Sequence, residues 1–165
     1  MKGIIIGRFC LVYWFVCCLL TGTDRKNLAG LRSYPEAVQR AVRAHPTLGK
    51  AAPPEKSAAA VLLMNFGLFT GVFSVLGLML KEPLALADYG TAFTFFLALG
   101  EGLGLFDLLV IDLLWWRNTP RIRFSFLPER ALYQNPAKHI ASFLRGIPLF
   151  AVVAACSAGI VLLIG

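Results

Sequence analysis

The sequence predicts an all-helical integral membrane domain of four transmembrane helices, with two short cytoplasmic interfacial helices. Three observations predict it. Apolar residues make up 58% of the 165-residue chain and charged residues only 15%, against about 25% charged in an average soluble domain. The apolar residues gather into four runs, each about as long as a bilayer's hydrocarbon core requires. Apart from Arg8, the sixteen Lys and Arg residues lie between those runs or at their ends, as membrane topology demands. The length allows one domain, residues 1–165, rather than two of ordinary size.

The first run covers about residues 3–21 and is interrupted by Arg8. A cleaved signal peptide is the competing reading, since Met1-Lys2 precedes an apolar stretch. No small-x-small cleavage site follows, and Thr21-Gly22-Thr23-Asp24 leads straight into a charged loop, so an uncleaved helix is expected. The second run, about 57–80, lies between Pro53-Pro54-Glu55-Lys56 and Lys81-Glu82-Pro83, both good helix punctuation. The third, about 89–116, is longer than the hydrocarbon core needs and must tilt, bend or protrude. Trp115, Trp116 and Arg117 mark its interfacial end. The fourth covers about 146–164, with Pro148 near its start, where proline is tolerated.

Loop charge sets the expected orientation. Residues 22–56 carry seven Lys and Arg against three acids, residues 117–145 six against one, and residues 81–88 one against two. The positive-inside rule then places loops 22–56 and 117–145 in the cytoplasm and both termini outside.

Each long loop is expected to hold one short helix. Ser33-Tyr34-Pro35-Glu36 reads as a capping box with proline in the first turn. The helix it opens runs to about Ala44, with Ala37, Val38, Ala41 and Val42 on one side, and such a basic amphipathic helix is expected in the headgroup region. Asn135-Pro136 opens the other, with Ile140, Phe143 and Leu144 as its apolar stripe. Residues 121–126 alternate in polarity, as an extended surface segment does.

Chemistry concentrates in the third run, which carries Glu101, Asp107 and Asp112. A carboxylate in hydrocarbon is costly and faces a partner, a cavity or the bundle interior. At about 100° per residue, Glu101 and Asp112 fall within about 20° of each other, while Asp107 turns about 120° away. A proton- or cation-handling path is one reading. Structural pairing is the other, with Arg117 for Asp112 and Arg8 for Glu101 or Asp107. Asn65 in the second run is a further candidate partner. Arg121, Arg123, Arg130 and Lys138 suit anionic lipid headgroups or a substrate phosphate. His45 and His139 lie in loops, with no partner that spacing identifies.

Gly67-x-x-x-Gly71, Gly100-x-x-x-Gly104 and Ala155-x-x-x-Gly159 suggest close helix packing. Cys10, Cys17, Cys18 and Cys156 all sit in apolar runs without metal-ligand spacing, so neither a metal, a disulfide framework nor a cofactor is expected. Motifs of hydrolases, phosphate-binding loops and dinucleotide folds are absent. The net charge of +7 reflects topology, and a nucleic-acid partner is not expected.

The stretch Asp107-Leu-Leu-Val-Ile-Asp112-Leu-Leu-Trp115-Trp116-Arg117-Asn118-Thr119 is joined by Tyr133-Gln-Asn135-Pro136-Ala-Lys138-His139 and Phe143-Leu-Arg145-Gly146-Ile-Pro148. Together with Thr21-Gly22-Thr23-Asp24 and Leu31-Arg32-Ser33-Tyr34-Pro35, it resembles a group of small multi-pass membrane proteins of Gram-positive bacteria. Members are largely uncharacterised and some are labelled transporter permease. The resemblance spans most of the chain and implies a bacterial plasma membrane. The expected function is transport-related: a subunit of a larger membrane complex or a small homo-oligomeric carrier. A membrane-embedded enzyme acting on lipid-linked substrate and a scaffold docking a cytoplasmic partner are the alternatives.

Overall fold

A computed structural model describes residues 2–164. In chain order its helices are α1 (Lys2–Leu20), α2 (Asp24–Ala29), α3 (Glu36–Ala44), α4 (Leu48–Ala51), α5 (Ala58–Leu84), α6 (Tyr89–Phe106) and α7 (Ala137–Ile164). A π-helix, Asp107–Trp116, carries α6 onward without a break. Four helices, α1, α5, α6 with its π extension, and α7, are long and apolar enough to cross a membrane. Among the described residues no strand forms, and the only bridge pairs Phe124 with Leu127.

Local chemistry sets the helix ends. Ser57 caps α5, its hydroxyl accepting the Ala60 N–H at 3.1 Å. The helix continues past Leu80, where the sequence placed its end, through Lys81-Glu82-Pro83 to Leu84. Pro83 falls in the final turn, and Ala85 leaves the helix at φ 49°. The Ala85 and Leu86 N–H groups then close on the Glu82 and Lys81 carbonyls, a left-handed C-terminal cap. Asp88 opens α6, accepting the Thr91 N–H at 2.9 Å and the Thr91 hydroxyl at 2.7 Å. These bonds hold the Asp88 carboxyl below the usual carboxylate range.

The fourth span differs most from expectation. The short helix opened by Asn135-Pro136 is not separate: it is the first turns of α7, which runs unbroken from Ala137 through Pro148 to Ile164. Arg145, Gly146 and Pro148 are all accommodated within it.

The chain divides into two compact units. One holds α1 as far as Cys10, Lys56–Leu105, and the chain from Phe143 onward. Its core is aromatic, with Phe73 stacked on Phe96 at 6.0 Å and on Phe150 at 6.3 Å. Gly100 makes this possible: a Cβ there would stand 2.7–2.9 Å from Phe150 side-chain carbons. Gly104 has ordinary spacing to the same ring. Gly67, Gly71 and Gly159 have open space where a side chain would begin, so no close approach is made at those three glycines.

The other unit comprises Leu11–Glu55 and Phe106–Ser142. Here the two long loops form one body around Leu28, Leu31, Tyr34, Val38, Val42, Trp116, Ile122, Phe124 and Tyr133. The Tyr34 hydroxyl donates to the Ile122 carbonyl at 2.8 Å, and the Asn27 amide to the Arg121 carbonyl at 3.0 Å. Asp24 accepts from the Ser125 N–H and hydroxyl. Burial, reinforced by Tyr133 and Asp24, pushes the Tyr34 phenol well above the usual tyrosine range, so it stays a neutral donor.

This packing corrects two expectations. Val38 and Val42 are fully buried in this core, so that face of α3 is covered by protein and not by headgroups. The capping box does not form either. Ser33 belongs to a 3-10 turn, Leu31–Ser33, and Pro35 precedes α3 without a side-chain cap. Gln39 reaches back instead, donating to the Arg32 and Tyr34 carbonyls at 3.0 and 2.7 Å. The extended surface segment expected over 121–126 does not form: a 3-10 turn, Pro120–Ile122, and a turn at Ser125 and Phe126 take its place, with Ile122 and Phe124 buried and Ser125 exposed.

Candidate functional site

The third span changes its winding at Asp107. Up to Phe106 it is an α-helix; from Asp107 to Trp116 it is a π-helix, closed by a bond from the Arg117 N–H to the Asp112 carbonyl at 3.3 Å. Bonding from i to i+5 widens the turn, so residues five apart come nearly above one another. Such turns are rare and concentrate at functional sites. Asp107 and Asp112 are five apart. The π winding therefore stacks two carboxylates that α-helical periodicity would hold well apart.

The shared face expected of Glu101 and Asp112 presupposes one unbroken α-helix, and the winding changes from α to π between them. Glu101 belongs to the α-helical part and to the other unit, and its buried Oε1 has no hydrogen-bond partner.

Asp112 is held by a residue that sequence spacing did not single out. His139 Nδ1 lies 2.8 Å from Asp112 Oδ2, with the imidazole 5% exposed and the carboxylate 16%. Asn135-Pro136 starts α7 just before it, the Asn135 side chain accepting the Ala137 N–H at 3.0 Å. His139 thus enters in the first turn of the helix, below the Trp116 belt. Trp116 meets the imidazole edge to face at 4.9 Å, and Trp116 in turn meets Tyr34 at 4.9 Å. His139 Nε2 is buried without a partner. With Nδ1 turned to a carboxylate, Nε2 is a bare acceptor when the ring is neutral and an N–H donor when it is charged.

The cluster extends to α1. The charges of Asp112 and His139 both act on Asp107, and Asp107 and Asp112 act on Tyr13 and Cys17. Tyr13 and Cys17 lie four residues apart, about one turn of α1. Three elements of one unit thus deliver two carboxylates, an imidazole, a phenol and a thiol to one place.

Other expected partners are elsewhere. Arg8 is exposed on α1 and pairs with no carboxylate among the described residues. Asn65 is exposed on α5, without a side-chain hydrogen bond among the described residues. Arg117 does not pair with Asp112, and its Nε is buried without a partner. The basic set 121–138 is divided among several tasks. Arg121 closes the end of α1, donating to the Cys18 and Thr21 carbonyls at 2.9 and 3.1 Å. Arg130 donates to the Asn118 side chain. Arg123 is half-buried near Tyr133. Lys138 lines a cavity of about 450 Å³ together with Glu36, whose carboxylate opposes an anion there. His45 packs against Phe126, the rings 4.4 Å apart and tilted by 49°, and its Nδ1 accepts from the Leu48 N–H, a structural use. The four cysteines are free thiols. Among the described residues no three His, Cys, Asp or Glu side chains are placed to hold a metal ion.

No family model, curated protein or solved structure matches this chain.

Proposed function

We propose that the protein is a transport-related multi-pass membrane protein, acting as a subunit of a transporter complex or as a small oligomeric carrier. The observation that carries this reading is the stacking of Asp107 and Asp112 beside buried His139 within segments long and apolar enough to span a bilayer. Ionisable groups are kept in such segments where a charged species must pass or be exchanged. In this reading the Lys- and Arg-rich unit faces the cytoplasm of a bacterial plasma membrane and both termini face outward. Four spans are few for a solitary carrier, so the working form contains further copies or partner subunits. Anionic headgroups meet the basic surface.

The test is charge movement by the reconstituted protein on a supported membrane, challenged with jumps in H⁺, Na⁺, K⁺ and small organic solutes. Currents present in the wild type and abolished by Asp112→Asn support a carrier. Silence under every jump, with no stoichiometric companion in mild-detergent extracts, overturns the reading.

A membrane-embedded enzyme acting on lipid-linked substrate is the second reading. It draws on His139, whose carboxylate-anchored ring with a free Nε2 is the arrangement of a general base. It predicts conversion of a lipid-linked substrate by the purified protein and loss of that conversion in His139→Gln.

A further inference from the structure

Among the described residues neither carboxylate forms an ion pair with Lys or Arg, and the charges acting on Asp107 are those of Asp112 and His139. The groups facing Asp107 are Asp112 on its own helix, His139 on α7, and Tyr13 and Cys17 on α1. Neither a phenol nor a thiol supplies positive charge. With both carboxylates ionised and the imidazole protonated, the cluster still carries one net negative charge. Burying such a charge is costly, and the usual relief is to bind a cation or a proton. A metal ion needs ligands converging on a point, and these residues do not converge so. A proton needs only one carboxylate oxygen.

We propose that Asp107, Asp112 and His139 form a single-proton site, with the exchangeable proton added to a carboxylate oxygen of Asp107 while His139 stays anchored on Asp112. Loading converts one carboxylate to a carboxylic acid and breaks no other bond. Unloading returns the proton to water. The inference rests on the transport reading and names its coupling ion as H⁺.

The chain has four aspartates, Asp24, Asp88, Asp107 and Asp112. Asp24 and Asp88 are each held as hydrogen-bond acceptors outside the spans. Infrared titration of the full chain in detergent therefore reads the site directly. A protonated-carboxyl band equivalent to one group per chain is expected. It should shift when aspartate is ¹³C-labelled, persist with ¹³C-labelled glutamate, and fade as pH rises. Asp107→Asn should remove it, and Glu101→Gln should leave it. The isotope experiment needs no mutant, so it stands even if Asp107→Asn folds poorly. Absence of an aspartate-sensitive band in the wild type overturns the proposal, as does its survival in a folded Asp107→Asn protein. The two readings fail separately. A band with no current under any ion jump keeps the proton site and removes transport. Currents driven by Na⁺ or solute, with no such band, keep transport and remove the proton site.

Discussion

His139 and Asp112 lie 27 positions apart in sequence yet meet at 2.8 Å, joining the foot of one spanning helix to the head of another. Asp112→Ala leaves both ring nitrogens of His139 buried without partners, a loss of roughly 1–3 kcal/mol. Asp112→Asn keeps an acceptor at the same place and should cost less. Thermal unfolding in detergent, followed by labelling of the four free thiols, checks the order. Equal stability of Asp112→Ala and wild type would contradict it.

Gly100 should tolerate no side chain. Gly100→Ala drives a methyl group against Phe150, and overpacking of this kind costs roughly 1–3 kcal/mol. Gly67→Ala and Gly71→Ala, where space is open, should stay within about 0.5 kcal/mol of wild type. Combining Gly100→Ala with Phe150→Leu should recover part of the loss, because the two positions are coupled through one contact.

Tyr34 links stability to alkaline pH. Its phenol is raised in the folded protein by burial, whereas in the unfolded chain it ionises near pH 10. The folded state then binds more protons than the unfolded one above that point, so stability falls as pH rises past about 10. Tyr34→Phe removes the bond to Ile122 at a cost of about 1 kcal/mol and should flatten that alkaline slope. Melting curves of both proteins at pH 8 and above decide it; identical slopes would refute the assignment.

Asp24→Ala releases Ser125 and with it one tie between the two loops. Trypsin should then cut faster around Arg121 and Arg123, with the spans left intact. An unchanged digestion pattern would mean that the Asn27 and Tyr34 bonds suffice.

How far the sequence foretold this molecule depends on the range of the interaction involved. The spans are read from local hydropathy, and they appear where Gly3, Ser57 and Tyr89 suggested they begin, within a residue or so. Helix ends set by one proline were less legible, because Pro83 and Pro148 are both accommodated inside helices. The site was half visible. Asp107 and Asp112 stand out as acids in an apolar run, but α-helical periodicity separates them, and nothing local announces the i to i+5 bond at Arg117. His139 was hidden for another reason. Its environment comes from Asp112 and Trp116, which only the tertiary fold brings near. The loop core was concealed likewise, although the spacing of Ile122 and Phe124 carried its trace.

The shared core of the two loops also imposes an order of events during synthesis. Its hydrogen bonds join residues 88 to 101 positions apart. When the first loop leaves the ribosome, Leu28, Leu31, Tyr34, Val38 and Val42 have no partners. They acquire them only after two more membrane-spanning segments have been made and Ile122, Phe124 and Tyr133 have followed. For that interval the nascent chain displays a sticky apolar surface beside the bilayer. Its maturation is therefore a race between translation and aggregation, and slowing elongation between Ala58 and Tyr133 should lower the yield of inserted protein.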